Sequence, residues 1–285
     1  MKLEFVDKKQ FLAKVKKLAN ERNITPQIML QEIVLDDLID RISYSNYKDN
    51  LVLKGGFLIA SLIGTDTRST RDIDTSIIGL PVTEYKMKNV IQEICAIRLP
   101  DDTVKLSIVK IGEIREDNEY SGYRIHILVQ IYNTQVEVKI DISTGDVITE
   151  RAIQYEHKMI LEDRTVKIMA YTVETIIAEK LETIISRDDT NTRLKDFYDL
   201  YLLDHQNRTE IRLNMLNKAI HATATKRGTT EQLGTYISSL TDLKSSQNLQ
   251  KLWIAYQKPN KYAHGIDFED RCDAAIDLVR KSGMK

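Results

Sequence analysis

The sequence predicts an α/β (α+β) fold, in which a mixed sheet flanked by helices is followed by a helical C-terminal domain. Apolar residues recur at helical spacing in two segments before residue 45 and in six more beyond Thr172. Between these helical stretches, short apolar or alternating runs of strand type appear at 51–53, 71–80 and three times within 104–143. No Pro/Gly/Ser linker separates the two textures, and the change near 155–170 places the domains at residues 1–160 and 161–285.

Composition narrows the partners. With 285 residues, 42% of them hydrophobic, the chain can bury a sizeable core in two domains. Lys plus Arg (41) balance Asp plus Glu (42), so any nucleic-acid contact must come from a local patch rather than a global basic excess. Cys95 and Cys272 match no metal-ligand spacing, which suits reduced core thiols in a reducing cytoplasm. The start MKLEFVDKKQFLAKVKK has no apolar leader core, and no run approaches the ~18 apolar residues a membrane span needs. A cytoplasmic monomer without a membrane partner is expected.

Taken in order, Phe11, Leu12, Val15, Leu18 and Ala19 mark a first helix, and Thr25-Pro26 reads as the N-cap and first position of a second, through Val34, Leu38 and Ile42. Leu51-Val52-Leu53 is a short strand, Gly55-Gly56 a turn and FLIASLI a helix of two turns. RDIDTSIIGL is the next strand, 84–97 a helix, and VKLSIVKI, YRIHILVQIY and QVEVKIDIS three strands. The last two alternate strictly, and the short Asn133-Thr134 connection predicts a hairpin. Helices follow at 173–187, 193–204, 209–224, 230–240, 245–257 and 267–281.

The chemistry concentrates in a few places. The two-residue period of a strand puts Asp72 and Asp74 on one face, about 7 Å apart at the backbone, where they can share a divalent cation. In QVEVKIDIS the apolar residues take one face, leaving Glu137, Lys139 and Asp141 on the other. If that strand adjoins the one bearing Asp72 and Asp74, Asp141 is a third carboxylate, and three acids around Mg²⁺ are what in-line phosphoryl or nucleotidyl transfer requires. Gly55-Gly56 before a helix offers free N–H groups to a phosphate, with Lys54, Arg68 and Arg71 as added charge. In VETIIAEKLETIISR, Lys180 falls within the inner stripe of Ile176, Ile177, Leu181, Ile184 and Ile185, so it either meets a carboxylate or a triphosphate or snorkels to solvent. Lys195 and Asp199 in RLKDFYDLYLL stand at i,i+4, as a surface ion pair or as part of a site. For RNA, the basic and aromatic residues of HATATKRGTTEQ and WIAYQKPNKYAH are candidates, against a plainer reading as core aromatics and solvated lysines.

Together LKGG, Arg68 to Asp74, VKIDIS, AEKLETIISR and RLKDFYDLY resemble, over about residues 50–205, the nucleotidyltransferase-like toxins of the AbiEii and MenT group, within the polymerase-β-like nucleotidyltransferase superfamily. The resemblance implies a minimal nucleotidyltransferase sheet and a helical C-terminal domain. It implies a toxin of a toxin–antitoxin or phage abortive-infection system, counteracted by a separate antitoxin, that transfers nucleotides from an NTP to the tRNA 3′ end and stops translation. Carried over by position, Asp72 and Asp74 are metal ligands with Thr70 on the same loop, Gly55 and Gly56 bind phosphate, Lys180 holds the triphosphate, and Asp196 or Asp199 is the late acid of the site. Asp141 is the third acid by superfamily analogy, and Lys54, Arg68 and Lys195 are further candidates for nucleotide contact. The chain departs from the wider superfamily in having Gly56 and Phe57 where a serine usually follows the first glycine, and Asp72 lies 16 residues beyond Gly56. Transfer to a protein or small molecule, and a non-catalytic NTP-binding module, remain the alternatives.

Overall fold

In the computed structural model, which describes residues 5, 7–64, 68, 70–99, 104–116, 120–145, 147–205 and 210–284, the chain forms two units. The first holds Met1–Gly145 and Ala152–Ala170, the second Asp146–Arg151 and Tyr171–Lys285. The sheet unit thus runs to residue 170, ten residues past the boundary expected from the sequence.

In the first unit, Asp7 caps α1 (Lys8–Glu21) by accepting from Gln10 N at 2.8 Å, and Thr25 caps α2 (Pro26–Tyr44) by accepting from Ile28 N at 3.3 Å. The helix α2 is buried along most of its length although it carries four carboxylates inside. Each of these is given a cation or donor: Asp37 binds Arg41 at 2.8 Å, Asp40 binds Arg164, Asp36 meets His157, and Glu32 faces Arg22 at 3.5 Å.

The sheet has seven strands in the order β3-β4-β5-β2-β1-β7-β6. They are β1 (Leu51–Lys54), β2 (Asp72–Ile77), β3 (Lys105–Glu116), β4 (Tyr120–Ile131), β5 (Thr134–Ser143), β6 (Ile153–Lys158) and β7 (Thr165–Ala170), with α3 (Gly55–Ile63) between β1 and β2 and α4 (Glu84–Ala96) between β2 and β3. The sheet is mixed: β2 runs antiparallel to β1 and parallel to β5, and β1 runs parallel to β7. Ile125, Ile127, Val129 and Ile131 on β4 and Val136, Val138, Ile140 and Ile142 on β5 are all buried, so the alternation seen in the sequence is that of one covered face.

Two features differ from the sequence reading. The β4–β5 hairpin turns at Tyr132-Asn133 rather than Asn133-Thr134, with Ile131 paired to Thr134 and Tyr132 in the left-handed region at φ 50°. The parity is unchanged, so the faces are as expected, but every cross-strand partner moves by two. The strands β6 and β7 were not foreseen: β6 buries only His157 fully and reads as polar, and its pairing is supplied by β7, an apolar strand wedged between β6 and β1.

The second unit contains α5 (Val173–Arg187), α6 (Leu194–His205), α7 (Leu213–Arg227), α8 (Tyr236–Lys244), α9 (Gln247–Gln257) and α10 (Phe268–Lys281). The helix expected from 209 begins at Leu213, and 206–209 lie outside the described residues. Cys272 is buried and Cys95 half-buried, and burial pushes both thiols up to about 12, which leaves them unreactive at neutral pH. Among the described residues no helix is long and apolar enough to cross a membrane.

Candidate active site

The strand β1 passes directly into α3, and Gly55 makes the junction in the left-handed region at φ 63°. Beside it lies Asp74, because β1 and β2 pair with Lys54 opposite Asp74. A Cβ on Gly55 would sit 2.1 Å from Asp74 Oδ2, so the glycine is required by close approach as well as by conformation. At the same point Gly56 N–H donates to Asp74 Oδ2 at 3.3 Å. A first-turn donor of α3 thus faces a carboxylate, where the helix dipole favours negative charge.

Gly56 has its own reason for lacking a side chain. Arg68 is 5% exposed and donates from Nη1 to Gly56 O at 2.9 Å, and a Cβ at Gly56 would approach that guanidinium to 2.6 Å. The Arg68 side chain therefore braces the glycine junction from within. Arg71 is exposed. Thr70 is buried and donates from Oγ1 to Asp72 O at 3.1 Å, which fixes the start of β2.

The parallel pairing of β2 with β5 sets Asp74 directly opposite Asp141, so Asp72, Asp74 and Asp141 share a face as the strand periodicity required. Thr75 Oγ1 donates to Asp141 O at 3.0 Å and ties the two strands. Asp141 is nevertheless differently employed from the other two. Arg124, its cross-strand partner on β4, donates to both of its oxygens, from Nε to Oδ1 at 2.8 Å and from Nη2 to Oδ2 at 2.6 Å. Asp141 holds the Arg124 guanidinium more firmly protonated, and Asp72 and Asp74 act on it in the same direction. Among the described residues no group of three or more His, Cys, Asp or Glu side chains is disposed to hold a metal ion. Asp72 and Asp74 remain a pair of half-buried hard oxygen donors. Such a pair fits Mg²⁺, which is bound through one or two carboxylates together with substrate phosphates and waters.

Sequence reasoning missed Arg124. The signal was present, since Arg124 alternates with the buried Ile125 and Ile127 and so lies on the Asp141 face. Only the hairpin register, set by the Tyr132-Asn133 turn, selects it as partner rather than His126.

In the helical unit, the inner stripe of α5 is buried as expected, and Lys180 within it meets carboxylates. Its Nζ lies 2.5 Å from Asp196 Oδ1 and 2.7 Å from Asp199 Oδ2, with the three side chains 12%, 7% and 0% exposed. Asp199 thus turns inward to α5 while Lys195 is exposed, and the structure favours this buried cluster over the i,i+4 surface pair. The candidate RNA segments fare less well. Arg227 is bonded to Glu182 and, at 2.9 Å, to Thr183 Oγ1. Trp253 is buried, stacks on Tyr256 at 5.2 Å and has the Arg271 guanidinium 3.9 Å above its ring, while Tyr256 and Tyr262 are hydrogen-bonded to each other at 3.1 Å. Trp253 belongs to the helical core with Tyr256 and Tyr262 half-buried beside it, and Lys258 and Lys261 are exposed.

No curated protein matches the chain. Solved structures resemble it in fold: one assigned provisionally as a nucleotidyltransferase from H. pylori, at TM-score 0.52 and 13% identity, covers 90% of this chain and 95% of its own. The structure of JHP933 from Helicobacter pylori, at TM-score 0.52 and 14% identity, covers 90% of this chain and 91% of its own. The model of the AbiEii nucleotidyl transferase toxin family, of type IV toxin–antitoxin systems, matches residues 37–274, which include the glycine junction, the three acids and the Lys180 cluster. The chain accordingly belongs to the AbiEii family of nucleotidyltransferase toxins.

Proposed function

We propose that this nucleotidyltransferase moves a nucleotide from an NTP to the 3′-hydroxyl of an RNA, with tRNA as the acceptor, and so halts translation in the cytoplasm until an antitoxin counteracts it. The observation that carries the reading is the placement of Asp74 against Gly55 and the Gly56 N–H, with Asp72 two residues away on the same face. That arrangement sets an anion-binding helix end beside a pair of hard oxygen donors.

In this reading Asp72 and Asp74 hold Mg²⁺, which when bound neutralises developing phosphate charge and lowers the pKa of the attacking hydroxyl. The N–H groups at the start of α3 receive triphosphate oxygens, for which Asp74 must release Gly56 N–H to the nucleotide. Arg68 keeps the junction rigid by holding the Gly56 carbonyl. Arg124 neutralises Asp141, which lowers the net negative charge that an incoming triphosphate meets. Within the helical unit Lys180 is the proposed phosphate ligand, its ammonium aligned by Asp196 and Asp199.

The test is incubation of the purified protein with each radiolabelled NTP, Mg²⁺ and total tRNA, beside Asp72→Ala. Label on tRNA with the wild type alone is the expected result. Transfer at the wild-type rate by Asp72→Ala, or no label on any RNA from a folded protein that binds NTP, would overturn the reading.

A further inference from the structure

A second group of reactive side chains lies within the sheet unit, on the part of α3 away from its glycine junction. Ser61 on α3, His157 on β6 and Asp36 on α2 form one hydrogen-bonded line: Ser61 Oγ is 2.7 Å from His157 Nδ1, and His157 Nε2 is 2.5 Å from Asp36 Oδ1. Asp36 is 3% exposed, and its other oxygen accepts from Ile160 N–H at 2.8 Å, so the carboxylate is fixed at both ends. His157 is 4% exposed and its ring lies 5.2 Å from that of Phe57. With Nε2–H given to Asp36, Nδ1 is the acceptor and Ser61 the donor to it. The hydroxyl of Tyr155, 2.8 Å from Ser61 Oγ, completes the line.

Two features separate this line from a polar network that merely satisfies buried groups. A serine in mid-helix ordinarily bonds the carbonyl one turn back, whereas Ser61 reaches across to another element. Moreover Ser61 and His157 line a cavity of about 290 Å³, whose other walls include the apolar Phe57, Ala60 and Met159 and the charged Arg22, Glu32 and Lys158. The nucleophile therefore opens onto a cavity of mixed apolar and charged lining, with its base and the orienting carboxylate behind it, which is the arrangement that activates a serine.

We propose that Ser61, His157 and Asp36 are a second nucleophilic site, independent of the glycine junction, that takes the acyl group of a short-chain carboxylic ester. Ser61 Oγ forms a bond to the ester carbonyl carbon as its proton passes to His157 Nδ1 and the carbonyl π pair moves to oxygen. On collapse the C–O bond to the leaving alcohol breaks, and His157 returns the proton to that oxygen. Water then attacks the Ser61 ester by the same route and releases the carboxylic acid. Asp36 balances the charge of His157 while the ring holds the transferred proton, and the Tyr155 O–H is the neighbouring donor to the carbonyl oxygen.

The test uses the full chain and a fluorophosphonate probe, in which Ser61 Oγ displaces fluoride from phosphorus, read by intact mass and peptide mapping. One adduct on Ser61 is expected with wild type, none with Ser61→Ala, and a rate at least about 100-fold lower with His157→Gln or Asp36→Asn. Hydrolysis of 4-nitrophenyl butyrate with a burst of one equivalent is expected in parallel. Folding of each variant is checked by circular dichroism. If the His157 and Asp36 variants do not fold, Ala60→Leu, which narrows the cavity and leaves the line intact, is expected to slow labelling at least about tenfold. No adduct on Ser61 of folded wild type, or a rate unchanged in the folded variants, would overturn the proposal.

Discussion

Replacing Gly55 by alanine should separate the glycine junction's role in the site from its role in folding. At φ 63° any side chain meets the left-handed penalty, about 1–2 kcal/mol. Here the added Cβ would also lie 2.1 Å from Asp74 Oδ2 and 2.7 Å from its Cγ, distances no relaxation within van der Waals limits can accept. The Asp74 carboxylate must therefore swing away and lose the Gly56 N–H, at roughly 1 kcal/mol more. Gly228 provides the control, since at φ 70° it carries the same backbone strain with nothing within 4 Å of its Cβ position. Urea denaturation should show Gly55→Ala destabilised by about 2–3 kcal/mol and Gly228→Ala by about 1–2 kcal/mol. The activities should diverge far more. Displacement of Asp74 by about 1 Å is expected to slow nucleotide transfer by about 100-fold, while Gly228→Ala transfers at the wild-type rate. Equal transfer by the two variants, each folded, would refute the placement of Asp74 and Gly55 in the site.

Three further outcomes follow from the same structure. Lys180→Met leaves Asp196 and Asp199 buried without their shared cation and should cost about 3–5 kcal/mol in urea denaturation. Exposed Lys195→Met should change stability by less than about 0.5 kcal/mol, and similar losses in the two would contradict the buried cluster. Arg124→Ala removes the cation from among Asp72, Asp74 and Asp141, so Mg²⁺ measured by calorimetry should bind severalfold more tightly, on the order of 1 kcal/mol. Unchanged or weaker binding would show that Arg124 does not set the charge of this face. Glu32 is 1% exposed, and burial pushes its carboxyl up to about 7 against the opposing pull of Arg22. Stability that this group leaves intact below about pH 4.5 is therefore lost as pH rises through about 7, an effect of about 3 kcal/mol. Glu32→Gln should flatten the fall in unfolding free energy between pH 5 and pH 8, and an identical slope in both proteins would exclude Glu32 as its source.

Local pattern determined much of this protein. The cap at Thr25, the strict alternation of β4 and β5, and the stripe of α5 are short-range properties, readable because each depends on side chains a few residues apart. Strand parity likewise put Asp72, Asp74 and Asp141 on one face without knowledge of the sheet. What parity cannot supply is which strand adjoins which and in what register, because those depend on contacts between distant segments. Tertiary structure alone decided that Asp74 stands opposite Asp141, that the Tyr132-Asn133 turn hands Asp141 to Arg124, and that β6 and β7 extend the sheet beyond β1. It decided as well that Lys180 is held by two acids from α6, and that Arg68, which the sequence offers as a loop cation, is buried under the glycine junction. Charge in a sequence names the groups that need partners, whereas burial and register choose the partner, and that choice divided the polar residues here between buried scaffold and exposed surface.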